Sequence, residues 1–147
     1  MDSAASTGGC VFCAIVAPAP GVPAAPAAMV LDEPTVAAFL DVRPLFEGHV
    51  LVVPREHHVT LGDLPASLLT DVMLAAQRVS VAVTTALGAQ GSFVAMNNVV
   101  SQSVPHLHVH VVPRIRGDGL RGFFWPRRKY RSEQDLHDWA ARLRAVL

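Results

Sequence analysis

Three histidines, His106, His108 and His110, alternate with Leu107, Val109 and Val111 between Pro105 and Pro113. Alternate side chains of an extended strand share a face, so this pattern sets three imidazoles on one side and three aliphatics on the other. Neighbouring rings on that face start about 6.6 Å apart, two residues at roughly 3.3 Å each. The chain holds only seven histidines, and packing alone is a poor account of three at period two. Two chemistries compete for them. Neutral imidazole is the commonest protein ligand for metals; it is also a nucleophile and a donor suited to phosphate. A hydrolytic metal centre usually enlists carboxylates or holds three histidines on one ion, and residues 102–114 contain no Asp or Glu. Gln102 and Ser103, just upstream, are neutral donors suited to phosphate oxygens.

Cys10 and Cys13 are the only cysteines, spaced Cys-Val-Phe-Cys. A disulfide framework needs more thiols and an oxidising compartment. A thioredoxin-like pair belongs at the mouth of a βαβ unit, whereas only nine residues rich in Ser, Ala and Gly precede this one. Half of a metal site, a redox pair and a bland structural role all stay open on the bare pattern.

These residues need elements to hold them. Residues 1–9 are small and polar and read as disordered, and Cys10 to Val16 as one helical turn. Residues 17–28 carry four prolines, which bar both a helix and a central strand, so an extended surface crossing is expected. Strands are predicted at Met29–Leu31, Thr35–Leu40, His49–Val53, Ser92–Asn97 and Leu107–Val112. The long helix runs from Leu64 to Leu87. Asp63 lies near its cap, Pro65 in its first turn and Gly88 at its stop, and Leu64, Leu68, Val72, Ala76, Val79 and Val83 recur at helical spacing. A second helix spans Ser132 to Leu147, with Ser132 and Asp135 at capping-box spacing and a Leu136, Trp139, Ala140, Leu143 stripe. Strands in runs around one central helix make an α+β fold with an antiparallel sheet. One domain over 10–147 is expected, with its core in 10–114 and a basic, aromatic carboxy-terminal part in 115–147.

Composition narrows the classes. With 147 residues, 51% of them hydrophobic and 16% charged, intrinsic disorder is excluded. Twelve basic residues balance twelve acidic ones, which excludes a globally charged nucleic-acid coat. No uninterrupted apolar run approaches the roughly 18 residues of a membrane span, and a cytoplasmic location is expected. Residues 114–131 do concentrate seven cations around Phe123, Phe124 and Trp125, a composition suited to stacking on single-stranded nucleic acid or to extra phosphates.

The histidine segment resembles the signature of the histidine triad (HIT) family, His-φ-His-φ-His-φ-φ with φ apolar. Cys10-Val-Phe-Cys13, Ala38-Phe-Leu-Asp41, Gly48-His49-Val-Leu-Val-Val-Pro54-Arg-Glu-His57 and Asp63-Leu-Pro65 fall in family order around it. The resemblance covers residues 10–114 and implies a HIT-like α+β fold: about five antiparallel strands, one long helix and a carboxy-terminal helix. It implies a homodimer with joined sheets, in which Trp125-Pro126 lies near the partner's site. Its implied activity is hydrolysis or transfer at the α-phosphate of a nucleoside monophosphate derivative, with a purine, usually adenine, as base. The nucleotide would come from a dinucleoside polyphosphate, a phosphoramidate or adenylyl sulfate. His108 is then the nucleophile, and His110, Ser103 and Gln102 hold phosphate oxygens, with Gln102 beside the leaving group. His49 supports the triad or relays a proton, Asp41 accepts the ribose hydroxyls, and Asn97 or Asn98 gives a further polar contact. The zinc-bearing branch adds a structural Cys₂His₂ site at Cys10, Cys13, His57 and His106, with His58 as a weaker alternative; no organic cofactor is implied. A nucleotide-binding protein with little catalysis, or a nucleic-acid-binding module on residues 114–131, are the competing readings. One departure stands out. Relatives carry glycines between the fourth strand and the triad, where this chain reads Asn97-Asn-Val-Val-Ser101-Gln102-Ser103.

Overall fold

The computed structural model describes residues 9–120 and 128–147. It divides into two compact units, Met1–Arg116 and Gly117–Leu147. In the first, α1 (Val11–Val16) and the proline-rich crossing precede β1 (Met29–Asp32), β2 (Val36–Leu40) and β3 (Val50–Pro54). Then come α2 (Ala66–Leu87), β4 (Gly91–Ala95) and β5 (Val109–Arg114). The strands form one antiparallel sheet in the order β1-β2-β3-β5-β4, so the histidine strand lies next to the centre.

Period two sorts the sheet's side chains onto two faces. Val36 and Ala38 of β2, Val50 and Val52 of β3, and Val109 and Val111 of β5 meet Val72, Ala75, Ala76, Val79 and Val83 of α2 in one core. Ala37, Phe39, Leu51 and Val53 turn the other way and pack on Phe12 and Val16 of α1. The hydrophobic stripe of α2 takes Val109 and Val111, which leaves His110 of β5 on the opposite face. By length and composition α2 would suffice to cross a membrane; here its buried stripe packs on the sheet.

Several boundaries differ from the sequence reading. The β5 ladder starts at Val109 rather than Leu107, because pairing with β3 begins at Val52 opposite Val109. Ahead of it the Leu107 amide donates to the His58 carbonyl at 2.6 Å, outside the ladder. Asp63 does not cap α2. Its carboxylate accepts from the Thr60 amide and hydroxyl at 2.9 and 2.7 Å, capping a 3₁₀ turn at Leu61–Asp63 that delivers Pro65 to the N-cap of α2. Gly88 closes α2 in the left-handed region at φ 68°, as its position implies.

In the second unit α3 (Glu133–Arg144) is capped by Ser132, whose hydroxyl accepts from the Asp135 amide at 3.0 Å. Its Leu136, Trp139 and Leu143 stripe is exposed, and the Arg142 guanidinium lies 4.5 Å from the Trp139 ring centroid. The readings of residues 1–8 as disordered and of Trp125-Pro126 as a partner contact fall outside the described residues.

Candidate functional site

The three histidines share the face that carries α1. The Phe12 ring stands edge-on to His106 and His108, at centroid distances of 6.0 and 5.2 Å, and the His108 and His110 rings lie 4.9 Å apart. From there they divide into two groups.

His106 belongs with the thiols. Its Nε2–H donates to the Pro54 carbonyl at 2.8 Å, which leaves the Nδ1 lone pair 3.5 Å from both Cys10 Sγ and Cys13 Sγ. His57 Nδ1 approaches Cys13 Sγ at 3.2 Å. The four donor atoms lie within 4.8 Å of one another. A tetrahedral ion with metal–sulfur bonds near 2.3 Å and metal–nitrogen bonds near 2.05 Å sets S···N edges of about 3.6 Å, so the donor set fits a closed Cys₂His₂ centre. Without an ion, burial and the neighbouring Cys10 push the Cys13 thiol up to about 11, and burial takes His106 down to about 4. A coordinated ion reverses the thiol's preference, because it binds thiolate. The four residues that the resemblance implies as ligands lie in one cluster, while His58 stays outside it and lies 3.3 Å from a Glu56 carboxylate oxygen.

His108 and His110 form the second group, and their hydrogen bonds dictate their tautomers. The His106 carbonyl, 2.7 Å from His108 Nδ1, can only accept, so Nδ1 carries the proton and Nε2 keeps the lone pair. His49 Nδ1 receives the Leu45 amide at 3.1 Å, which places the His49 proton on Nε2, and Nε2–H donates to His110 Nδ1 at 2.9 Å. His110 Nε2 is consequently a donor. Burial, with His108 and His49 adding to it, takes His110 down to about 4, and burial also lowers His49 although Asp41 pulls the other way. Both rings are neutral near pH 7. Asp41, His49 and His110 also bring ligand atoms within 4.8 Å. Coordination through His49 Nε2 would move its proton to Nδ1, against the Leu45 amide, so these contacts favour a hydrogen-bonded relay over a cation.

A cavity of about 340 Å³ opens beside this group. Its polar lining comprises Asp41, Arg43, Ser103, His108 and His110; Val11, Phe12 and Ile15 of α1 and Phe39 of β2 supply much of its apolar wall. Asp41 Oδ1 also accepts the Arg43 amide at 2.8 Å, closing a tight turn after β2. Three expected contacts hold the loop instead. Gln102 Nε2 donates to the Val59 carbonyl at 2.6 Å while its Oε1 accepts from the Val99 amide; Asn98 Oδ1 accepts from the Leu61 amide at 2.7 Å; and Asn97 Nδ2 donates to the Ser101 carbonyl. None of these three amides lines the cavity in this structure. Within this loop Val99 and Ser101 adopt φ of 68° and 61°.

Phe12, the Leu45 amide and the Pro54 carbonyl were missed from the sequence. Phe12 had a signal: whatever gathers Cys10 and Cys13 must bring the residue between them to the histidine strand.

A five-stranded antiparallel sheet with a histidine-lined cavity on one face and a Cys/His cluster beside the end of β3 and the start of β5 defines the class. The model of the HIT domain matches residues 22–117, and the chain belongs to the histidine triad family. An uncharacterized HIT-like protein of Mycobacterium tuberculosis is 38% identical over 113 residues, 76% of this chain and 75% of its own. An adenosine 5′-monophosphoramidase of Schizosaccharomyces pombe is 33% identical over 120 residues, 80% of this chain and 83% of its own. Among solved structures, a zinc-bound histidine triad family protein from Mycobacterium smegmatis superposes with a TM-score of 0.70 at 34% identity, covering 95% of this chain and 99% of that one.

Proposed function

We propose that this protein is a nucleotidyl hydrolase or transferase acting at the α-phosphorus of a nucleotide through His108. The observation that carries the reading is the His108 Nδ1–H bond to the His106 carbonyl, which leaves an unprotonated Nε2 on a side chain lining the cavity. The Nε2 lone pair attacks phosphorus as the bond to the leaving group breaks with its electron pair, and the leaving group takes a proton from solvent. Water then attacks the nucleotidyl-His108, its Nε2–phosphorus bond breaks with the electron pair returning to the ring, and the proton that water loses goes back to solvent as the nucleoside monophosphate departs. Covalent catalysis divides one hard displacement into two easier ones. His110 Nε2–H and the Ser103 hydroxyl are the donors for non-bridging oxygens, acting on charge that grows in the transition state. Asp41 accepts the ribose hydroxyls and the wall of Val11, Phe12, Ile15 and Phe39 takes the base, a purine such as adenine. Gln102 reaches the leaving group once its amide releases the Val59 carbonyl.

Zinc held by Cys10, Cys13, His57 and His106 supplies structure when bound, a closed four-ligand site with no open position for substrate. The protein works as a cytoplasmic homodimer joined through its sheets.

A panel of adenosine phosphoramidate, dinucleoside polyphosphates and adenylyl sulfate tests the reading. We expect turnover of at least one, an alkaline-trapped adduct of one nucleotidyl mass, and AMP binding without turnover in His108→Asn. A wild type that binds AMP and turns over none of the panel would establish instead a nucleotide-binding protein with little catalysis. The engaged amides of Gln102, Asn97 and Asn98 are what favour that second reading.

A further inference from the structure

We infer that the Cys₂His₂ cluster and the nucleotide cavity are coupled through α1, so that zinc and nucleotide each tighten the other's binding. The inference rests on the nucleotide reading of the cavity. Helix α1 has six residues, far below the roughly 12–15 at which a helix is even marginal by itself in water, so its attachments hold it in place. Those attachments are shared between two sites. Cys10, its N-cap, and Cys13 face His57 and His106. Val11, Phe12 and Ile15, interleaved with them, form a wall of the cavity. Phe12 bridges the two directly, edge-on to the His106 ring of the cluster and to the His108 ring of the cavity.

Among the described residues, the rest of the anchorage is one small apolar cluster and two hydrogen bonds. Phe12 and Val16 are buried against Ala37, Phe39, Leu51 and Val53, with Cys10 and Ile15 packed alongside and the Phe12 and Phe39 rings 5.3 Å apart; the Arg55 guanidinium donates to the Val16 carbonyl at 2.6 Å and the Ala25 amide to the Ala14 carbonyl at 2.7 Å. Beyond Ala17 the chain enters the proline-rich crossing, and among the described residues no strand precedes Met29. A zinc ion on four residues from three separate segments therefore adds a rigid staple to a wall that nucleotide must find in place. Ordering that wall once serves both ligands, and linkage makes the benefit reciprocal.

Titration calorimetry of AMP into the full chain, zinc-loaded and chelator-stripped, reads the coupling, with far-UV circular dichroism to confirm that the sheet and α2 persist. AMP is expected to bind the stripped chain about tenfold more weakly or worse. Saturating AMP is expected to raise zinc affinity by the same factor in chelator competition. Equal AMP affinity in the two forms overturns the coupling. If stripping unfolds the chain, the rate of zinc release from the folded, loaded protein decides: slowing by AMP supports the coupling and an unchanged rate overturns it. A zinc-loaded chain that fails to bind AMP at all sinks the nucleotide reading itself, a distinct result from equal binding by both forms.

Discussion

At the scale of single residues, the site is a problem in proton placement. A neutral imidazole has one donor and one acceptor, so each partner it meets decides what the other nitrogen can do. The Leu45 amide makes His49 a donor to His110, and that makes His110 Nε2 a donor to whatever the cavity holds. In the proposed reaction His49 would act through His110, as a positioning residue. His49→Ala should lower kcat/KM by roughly 10²-fold, the scale of a misplaced catalytic group, and His49→Gln, whose amide can still donate to His110, should recover part of it. Equal loss in both variants would show that the ring is needed for packing alone. Val99 poses the opposite case, a β-branched residue at φ 68° and 73% exposed, with no burial to repay the strain. Val99→Gly should raise stability by about 1 kcal/mol in denaturant unfolding, and a neutral or destabilising result would refute the strain. The triad stood out by residue type and spacing, whereas the Cys10, Cys13, His57 cluster and Asp41 were expected only through the family resemblance. Gln102, Asn97 and Asn98 were not readable, since whether an amide serves substrate or its own loop depends on a backbone path that left-handed Val99 and Ser101 decide.

Elements carry those residues to one another, and here the sequence was more transparent. The valines and alanines of α2 and the alternation in β2, β3 and β5 determine which face of the sheet is core, and that alone puts His108 and His110 on the face of α1. The exact start of β5 was not readable, because it depends on which β3 residue pairs first. Gly48 shows how an element's entry is set. Its φ is 88°, and a Cβ there would stand 2.5 Å from Leu87 Cδ1 of α2 and 3.3 Å from Pro113 Cγ of β5. The Leu87 methyl can turn aside; the left-handed backbone cannot be relieved so easily. Gly48→Ala should therefore cost about 1–2 kcal/mol of stability by thermal unfolding, the usual penalty of a Cβ in that region. Because His49 follows directly, kcat/KM should fall as well. A variant as stable as the parent would mean that the turn before β3 rearranges freely.

Over the whole molecule, the buried imidazoles and the thiol cluster join in one dependence on acid. His110, and His106 in the absence of an ion, titrate at about 4 in the fold, and His49 is lowered too, against an ordinary value of 6.5. Between 6.5 and about 4 the unfolded chain therefore binds protons that the folded chain refuses, so stability falls as pH falls through that window and levels off below it. The slope should be visible in the Tm of chelator-stripped protein, and His110→Asn should flatten it. Zinc steepens it. Coordination requires thiolates and neutral imidazoles, so every ion released on unfolding in acid is exchanged for protons on Cys10, Cys13, His57 and His106. The loaded protein should have the higher Tm at pH 7.5, and its advantage over the stripped form should shrink steadily toward pH 5. A Tm difference between the two forms that stays constant across that range would mean the four ligands hold no ion in the folded chain. A Tm of the stripped protein that is flat from pH 6.5 to 4.5 would mean the buried rings are protonated in the fold, and the proton order from His49 to His110 would fail with it.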